Sequence, residues 1–332
     1  MAKQHRVELN NETFSAHSGE VLLDAALVAG VDVPHDCRAG RCGTCITRIR
    51  RGVTLGGETQ HRGMVYACQA RVFSDLSLSI ESLPAVKRVD GQVMHVVDLS
   101  HDVVEVTLRP AVPLDILPGQ YCRFTFRGFP ARAFSPTAPL DGAPDNGKIR
   151  LNIRRLENGL VSANIGKIIK RGHRLIIDGP FGHAFLRPQQ SNRLILVGTG
   201  TGFAPVWAIC DAALKENPAR DIVVVTGART IASLYMWRAL GLASRFRNVT
   251  VIATLEQGFA SHPQLKPGRL LDHIPAMTRD DIVYAAGSPA MVEAMGRLSQ
   301  QAQALFYRDP FEAAANGSDD WITRALDWLR TG

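Results

Sequence analysis

Three cysteines crowd into the stretch CRAGRCGTC, Cys37, Cys42 and Cys45, and a fourth follows at Cys68 in VYACQA. In a chain read as cytoplasmic, clustered cysteines point to metal or redox chemistry in place of a disulfide framework. Zinc sites are usually built from two separated short pairs that close a tetrahedron. A tight triplet with one distant cysteine is instead the spacing of a [2Fe–2S] cluster, with Cys37, Cys42, Cys45 and Cys68 as its ligands. Gly40 and Gly43 suit a loop that must wrap such a cluster and turn its amides toward sulfur. The two other cysteines, Cys122 and Cys210, fall in a strand-like and a helix-like run and read as small buried hydrophobes.

A second chemistry-bearing stretch is GTGTGFAP, comprising Gly198, Thr199, Gly200, Thr201, Gly202 and, past Phe203 and Ala204, Pro205. It joins the strand-like RLILVG to the helix-like FAPVWAICDAALK, where glycines allow close approach of a pyrophosphate to a helix start. Pro205 fits a first helical turn. The string does not follow G-x-G-x-x-G. By itself it reads equally as a nucleotide loop or as an ordinary strand-to-helix turn.

These residues need elements to hold them. HRVELN and ETFSAHS predict a hairpin turning at Asn10–Asn11. GEVLLDAALVAG predicts a helix with Val21, Leu22, Ala25 and Ala26 on one face. Residues 81–91, ESLPAVKRVDG, read as a linker. QVMHVVDL, VVEVTLRP and GQYCRFTF then predict an antiparallel barrel. From residue 192 strands alternate with helices, the pattern of a parallel α/β sheet. The expected organisation is thus multidomain, with domains at 1–86, 90–188 and 192–310, and a tail at 311–332. In that tail SDDWITRALDWLR predicts an amphipathic helix capped by Ser318, with Trp321, Ile322, Ala325, Trp328 and Leu329 on one face. It serves either to dock on its own domain or to meet another protein.

The bulk numbers agree. A length of 332 residues exceeds one typical domain, and 45% hydrophobic with 21% charged residues is ordinary for a globular chain. No apolar run is long enough to span a bilayer, and the first residues lack the apolar core of a signal peptide, so a cytoplasmic location is expected. The net charge of +7 lies wholly beyond residue 86, but the basic residues are scattered instead of forming a block, which argues a solvated surface and no nucleic-acid partner.

RAFS, IRRLENGLVS, GPFG, GTGTGFAP, GAR and AGSPAMV follow one another in that order. Together they resemble the ferredoxin–NAD(P) reductase superfamily, and the N-terminal region resembles a plant-type ferredoxin, although the stretch from Cys45 to Cys68 is short for it. The combination resembles the reductase components of multicomponent oxygenases, including Rieske ring-hydroxylating ones. The resemblance implies a β-grasp [2Fe–2S] ferredoxin, an antiparallel β-barrel flavin domain and an α/β parallel-sheet nucleotide domain. It further implies that Arg132 binds the FAD pyrophosphate, Phe134 packs on the flavin ring, and Ser135 bonds near the reacting nitrogen. Phe134 stands where the family usually has Tyr. Arg154, Gly159 and Ser162 match a second pyrophosphate contact at the opening of a helix. The dinucleotide is expected across Gly198–Pro205 and Gly287, Pro289 and Met291; Ala286 stands where relatives carry Cys. Phe311 matches the C-terminal aromatic that lies against the flavin, with a plain core phenylalanine as the competing reading. Arg229, with Ser233 where relatives often carry Asp, leaves NADH and NADPH both open.

The implied activity is transfer of electrons from NADH or NADPH through FAD and a [2Fe–2S] cluster to a terminal oxygenase component, directly or through a separate ferredoxin. A reductase for a deoxysugar dehydratase or a di-iron monooxygenase is the alternative. A monomer with no membrane partner is expected. The arginines near the cysteine loop, Arg38, Arg41, Arg48, Arg50 and Arg51, suggest an acidic partner surface.

Overall fold

The computed structural model describes residues 3–59, 63–81, 83–143, 146–187, 190–258 and 265–311. Three principal sheets follow one another along the chain, each with a core, and a further cluster that includes Leu140, Leu186, Trp207 and Tyr284 is shared by the second and third. The tail helix expected beyond Phe311 lies outside the described residues.

In the first sheet Gln4–Leu9 turns into Glu12–His17 with Leu9 opposite Glu12. Asn10 supplies the left-handed residue (φ 52°) that a two-residue hairpin turn requires and asparagine tolerates. Leu76–Ser79 pairs parallel to the first strand, and Ile46–Arg51 and Met64–Tyr66 extend the sheet antiparallel. Leu22–Val28 forms the helix, burying Leu22, Leu23, Ala25 and Ala26. Val21 precedes the helix and is only partly buried, so Leu23 takes the core position that the sequence reading gave to Val21. The cysteine loop runs from this helix to Ile46, carrying Cys45 into the core and leaving Cys37 exposed, and Cys68 enters the same core from the turn after Met64–Tyr66.

The second sheet starts earlier than expected. Lys87–Asp98 is one strand whose first residues, Lys87 to Gln92, pair with Arg174 to Gly179, so part of the supposed linker belongs to the sheet. Exposed charges at Lys87, Arg88 and Asp90 hide Val89, the one buried position between Lys87 and Gln92. Seven antiparallel strands run in the order Arg132–Phe134, Tyr121–Phe126, Arg174–Phe181, Lys87–Asp98, Val103–Pro110, Ile149–Arg154, Pro136–Thr137. The two outermost strands are consecutive in sequence, with only Ser135 between them. That residue closes the sheet into a barrel around Phe124, Phe126, Leu108, Leu151 and Ile177. The helix expected at LVSANIGKII shrinks to one 3-10 turn, Ser162–Asn164. Ser162 caps nothing there; its Oγ accepts the Leu156 N–H at 3.2 Å.

The third sheet is parallel, in the order Leu265–Pro267, Val249–Leu255, Ile222–Ala228, Leu194–Thr199, Ile282–Gly287, Leu305–Pro310. Strand order reverses between Leu194–Thr199 and Ile282–Gly287, and the crevice at their carboxyl ends is where open α/β sheets bind ligands. Helix Phe203–Glu216 covers one face and packs toward the barrel, where Trp207 Nε1 donates to Pro139 O at 3.1 Å. No helix among the described residues is long and apolar enough to cross a membrane.

Candidate functional site

The cysteine loop folds around its own sulfurs. Arg38, Gly40 and Gly43 all adopt left-handed backbone (φ 52°, 69° and 76°), turning successive amides inward. Ala39 N–H and Cys42 N–H each point to Cys37 Sγ at 3.4 Å, and the Gly40 amide points to Cys68. No three Cys, His, Asp or Glu groups among the described residues converge on a single ion. The four sulfurs instead form two pairs, Cys37 with Cys42 and Cys45 with Cys68. One thiolate pair per iron is what a two-iron cluster needs, so the donor set fits a [2Fe–2S] centre. The neighbouring thiol of Cys42 and backbone amides pull Cys37 down to about 4, and Cys45 likewise pulls Cys68 down to about 6. Within each pair the partner moves the other way, Cys42 and Cys45 being raised by the hydrogen bond they donate and by burial, so the sulfurs of a pair share protons that metal binding would displace.

At the barrel closure Ser135 is buried, Arg132 and Phe134 are half-buried, and the Phe134 and Phe124 ring centroids lie 6.1 Å apart. Arg132 has no carboxylate partner among the described residues; its Nη1 touches only Ala131 O, at 2.9 Å. Thr137 Oγ1 and both amide atoms of Asn152 are buried without a hydrogen-bond partner among the described residues. Unsatisfied buried polar groups on the two paired strands that follow Ser135 and flank the barrel closure fit a site completed by a polar ligand. Arg154 is less free than expected, since its Nε lies 3.1 Å from Asp102 Oδ2. Its guanidinium also borders the nucleotide loop, 3.2 Å from where a Cβ on Gly200 would stand. Gly159 and Ser162 close a tight turn, because a Cβ on Gly159 would lie 2.2 Å from Ser162 Oγ.

The nucleotide loop leaves its strand at Thr199, makes a 3-10 turn over Gly200–Gly202, and enters the helix with Pro205 in its first turn. Thr201 lies half-buried inside that turn. A Cβ on Gly202 would stand 2.3 Å from Ala286 O, and one on Gly287 (φ 124°) 2.4 Å from Thr199 Oγ1. The two loops therefore meet backbone to backbone, a cradle that side chains would fill. Pro289 opens the helix Pro289–Gln301, and Ser288 Oγ accepts the Met291 N–H at 3.4 Å. The Met291 side chain is buried in the core, and its backbone amide reaches the cap. Arg229 is exposed at the end of its strand, and Ser233 Oγ bonds Thr230 Oγ1 at 3.2 Å. Phe311 is half-buried, tied by its N–H to Gly287 O at 2.7 Å.

The sequence reading missed the residues that join these sites. Ser135 Oγ donates to Asp309 Oδ2 at 3.3 Å, linking barrel and nucleotide domain, and burial raises the Asp309 carboxyl to about 7. Gly182 N–H donates to Thr44 Oγ1 at 2.9 Å, Arg308 Nη2 donates to Gly40 O at 3.2 Å, and Tyr121 and Arg123 both engage Asp36. Arg187 is sandwiched between the rings of Phe185 and Tyr307, at 4.2 and 3.9 Å, and reaches Glu81 Oε2 at 3.0 Å. His183 lies 3.2 Å from the same oxygen. An acid at the carboxyl end of a parallel strand, two residues before Phe311, was the one signal that could have exposed Asp309. Nothing local marks the others. Cys122 and Cys210 are buried, as expected.

Three family models match successive segments: a 2Fe-2S iron–sulfur cluster binding domain over 6–73, an oxidoreductase FAD-binding domain over 90–185, and an oxidoreductase NAD-binding domain over 196–297. Fold and sites together define an NAD(P)H-dependent iron–sulfur flavoprotein oxidoreductase that works with a [2Fe–2S] cluster, FAD and a nicotinamide dinucleotide. The chain is 30% identical over 312 residues to the ferredoxin–NAD(P)(+) reductase component of the Ralstonia sp naphthalene 1,2-dioxygenase/salicylate 5-hydroxylase systems, covering 88% of this chain and 92% of that one. It is 28% identical over 309 residues to the corresponding Pseudomonas putida naphthalene 1,2-dioxygenase component, covering 87% and 92%. Among solved structures, an Amycolatopsis cytochrome P450 reductase superposes with a TM-score of 0.68 at 26% identity, over 94% of this chain and 100% of that one. The chain belongs to the family of ferredoxin–NAD(P)(+) reductase components.

Proposed function

We propose that this chain is the reductase component of a Rieske-type ring-hydroxylating oxygenase system, delivering electrons to the terminal oxygenase directly or through a separate ferredoxin, in the cytoplasm and as a monomer. The observation that carries the reading is the continuity of the three sites. Ser135–Asp309 joins the nucleotide and flavin domains, and Gly182–Thr44 joins the flavin domain to the cysteine loop. The domains proposed at 1–86, 90–188 and 192–310 thereby lie in the order that electron transfer requires. When bound, the flavin accepts a two-electron hydride equivalent and the cluster carries single electrons. The protein's own residues bind and orient. Arg132 holds the flavin pyrophosphate, with Arg154 and the Gly159–Ser162 turn as a second contact. Phe134 and Phe311 supply apolar surface for the ring, Ser135 offers it a hydroxyl, and Asp309 keeps a proton within reach of that hydroxyl. Gly198 to Gly202, Pro205, Gly287, Pro289 and the Met291 backbone cradle the dinucleotide, and Arg229 meets its ribose end. Cys37, Cys42, Cys45 and Cys68 hold the cluster.

An acidic acceptor is supported by a crevice of 900 Å³ between the first and third domains, lined by Arg48, Arg50 and Arg279, which have no ion-pair partner among the described residues. Arg38 is already engaged by Asp24, so steering falls to Arg48 and Arg50. The test is an anaerobic titration of purified protein with NADH and then NADPH, followed by visible absorption and low-temperature EPR, then by transfer to a purified Rieske oxygenase. Flavin bleaching with a rhombic S = 1/2 signal and oxygenase turnover is expected. Bleaching with a silent cluster sinks the relay, and an active cluster that reduces only a di-iron or dehydratase partner sinks the oxygenase assignment.

A further inference from the structure

Thr44 sits between two cysteines of the loop and is 2% exposed. Its hydroxyl has partners on opposite sides, the flavin-domain amide of Gly182 at 2.9 Å and Cys42 Sγ at 3.3 Å. An amide N–H can only donate, so the threonine oxygen is the acceptor of the first bond. Its one hydrogen is then left for the sulfur. Burial removes the water that would otherwise compete for it. The amide itself is held in place: Gly182 has φ 94°, and the Tyr121 ring lies 3.1 Å from where its Cβ would stand. Tyr121 in turn bonds Asp36, the residue before Cys37. On the other flank of Thr44, a Cβ on Gly43 would be 3.0 Å from His183 Cβ. The cysteine loop and the flavin domain therefore fit one another without slack at this point.

We propose that Thr44 is a positioning residue through which the flavin domain sets the reduction potential of the cluster, by committing the Thr44 hydroxyl hydrogen to Cys42 Sγ. This rests on Cys37, Cys42, Cys45 and Cys68 being the cluster ligands. Reduction adds one electron, drawn from NAD(P)H, and so one negative charge shared over the sulfurs. A donor aimed at a ligand sulfur stabilises the reduced form more than the oxidised one and raises the potential. Because the donor is oriented by an amide of another domain, the potential depends on how the two domains dock.

EPR-monitored redox titration of the full-length holoprotein tests this. Thr44→Val keeps the volume and removes the hydroxyl. Its cluster is expected to show about a tenfold lower reduced-to-oxidised ratio at fixed potential, about 59 mV downward for one electron. Thr44→Ser should keep the wild-type value, and flavin reduction by NADH should be unchanged in both. Gly182→Ala, which must displace the amide, should lower the potential in the same direction with Thr44 present and add nothing in the Thr44→Val background. An unchanged potential in Thr44→Val overturns the proposal while the relay stands. A drop in Thr44→Val with none in Gly182→Ala overturns the role of the flavin domain. A wild-type chain without the S = 1/2 signal overturns the ligand assignment, and the proposal with it.

Discussion

Asp309→Asn should stabilise the apoprotein, and more so as pH rises. The Asp309 carboxylate is raised from its ordinary 3.8 to about 7 because burial disfavours its charge, only partly offset by the Ser135 hydroxyl. In the unfolded chain the group ionises near its ordinary value, so between the two values the native state binds the extra proton. Stability from this group is therefore present below 3.8 and is lost as pH rises through about 7. At 1.36 kcal/mol per pH unit the full loss is about 4 kcal/mol. Partial exposure of the carboxylate lets solvent screen the charge, which reduces the expected loss to about 2 kcal/mol. Asparagine keeps the hydrogen bond with Ser135 and cannot ionise. Part of that loss has already occurred by pH 5, so urea unfolding of wild type and Asp309→Asn at pH 5 and pH 8 should give a difference that grows by about 1 kcal/mol in favour of the variant. The holoprotein variant should also lose the pH dependence near neutrality of flavin reduction by NADH. A stability difference that is the same at both pH values, or that favours wild type at pH 8, would refute the reasoning.

Gly202→Ala places a methyl 2.3 Å from Ala286 O, where only backbone can give way. It should cost about 1–3 kcal/mol and raise the KM for NADH, read by thermal melting and steady-state kinetics. Cys68→Ser removes one thiolate of a pair and should abolish the rhombic EPR signal while NADH-dependent ferricyanide reduction through the flavin persists. Burial works upward on Glu81, but His183 and Arg187 outweigh it and hold its carboxyl below the ordinary 4.5. The contact between Glu81 and Arg187 is therefore expected to be present above that value and to weaken as pH falls below it. Small-angle scattering should show expansion of the wild type below pH 4.5 relative to neutral pH, and Glu81→Gln should be expanded under both conditions.

What could be read from the sequence divides along a physical line. Cys37, Cys42, Cys45 and Cys68 were legible because a cluster imposes its own local spacing, whereas GTGTGFAP alone could equally be an ordinary turn and is read as a nucleotide loop only with the motifs around it. Arg132 and Ser135 carry no such pattern and were reached only by resemblance. Met291 shows what that route leaves open. The resemblance names the residue but not the atoms, and here the helix start uses its amide while the side chain packs in the core. Lys87 to Gln92 was misread because its buried side is one valine wide among charges. Asp309 and Thr44 were passed over for a different reason. Their partners lie 174 and 138 residues away, so no window of sequence contains both halves of either bond. Both are also unremarkable types in their own elements, an acid ending a strand and a threonine in a loop. Motif reading thus finds groups that touch a cofactor, each answering to a fixed ligand shape. The groups that join one cofactor site to the next answer to another domain's surface, and in an electron-transfer chain those junctions help set where the electron goes.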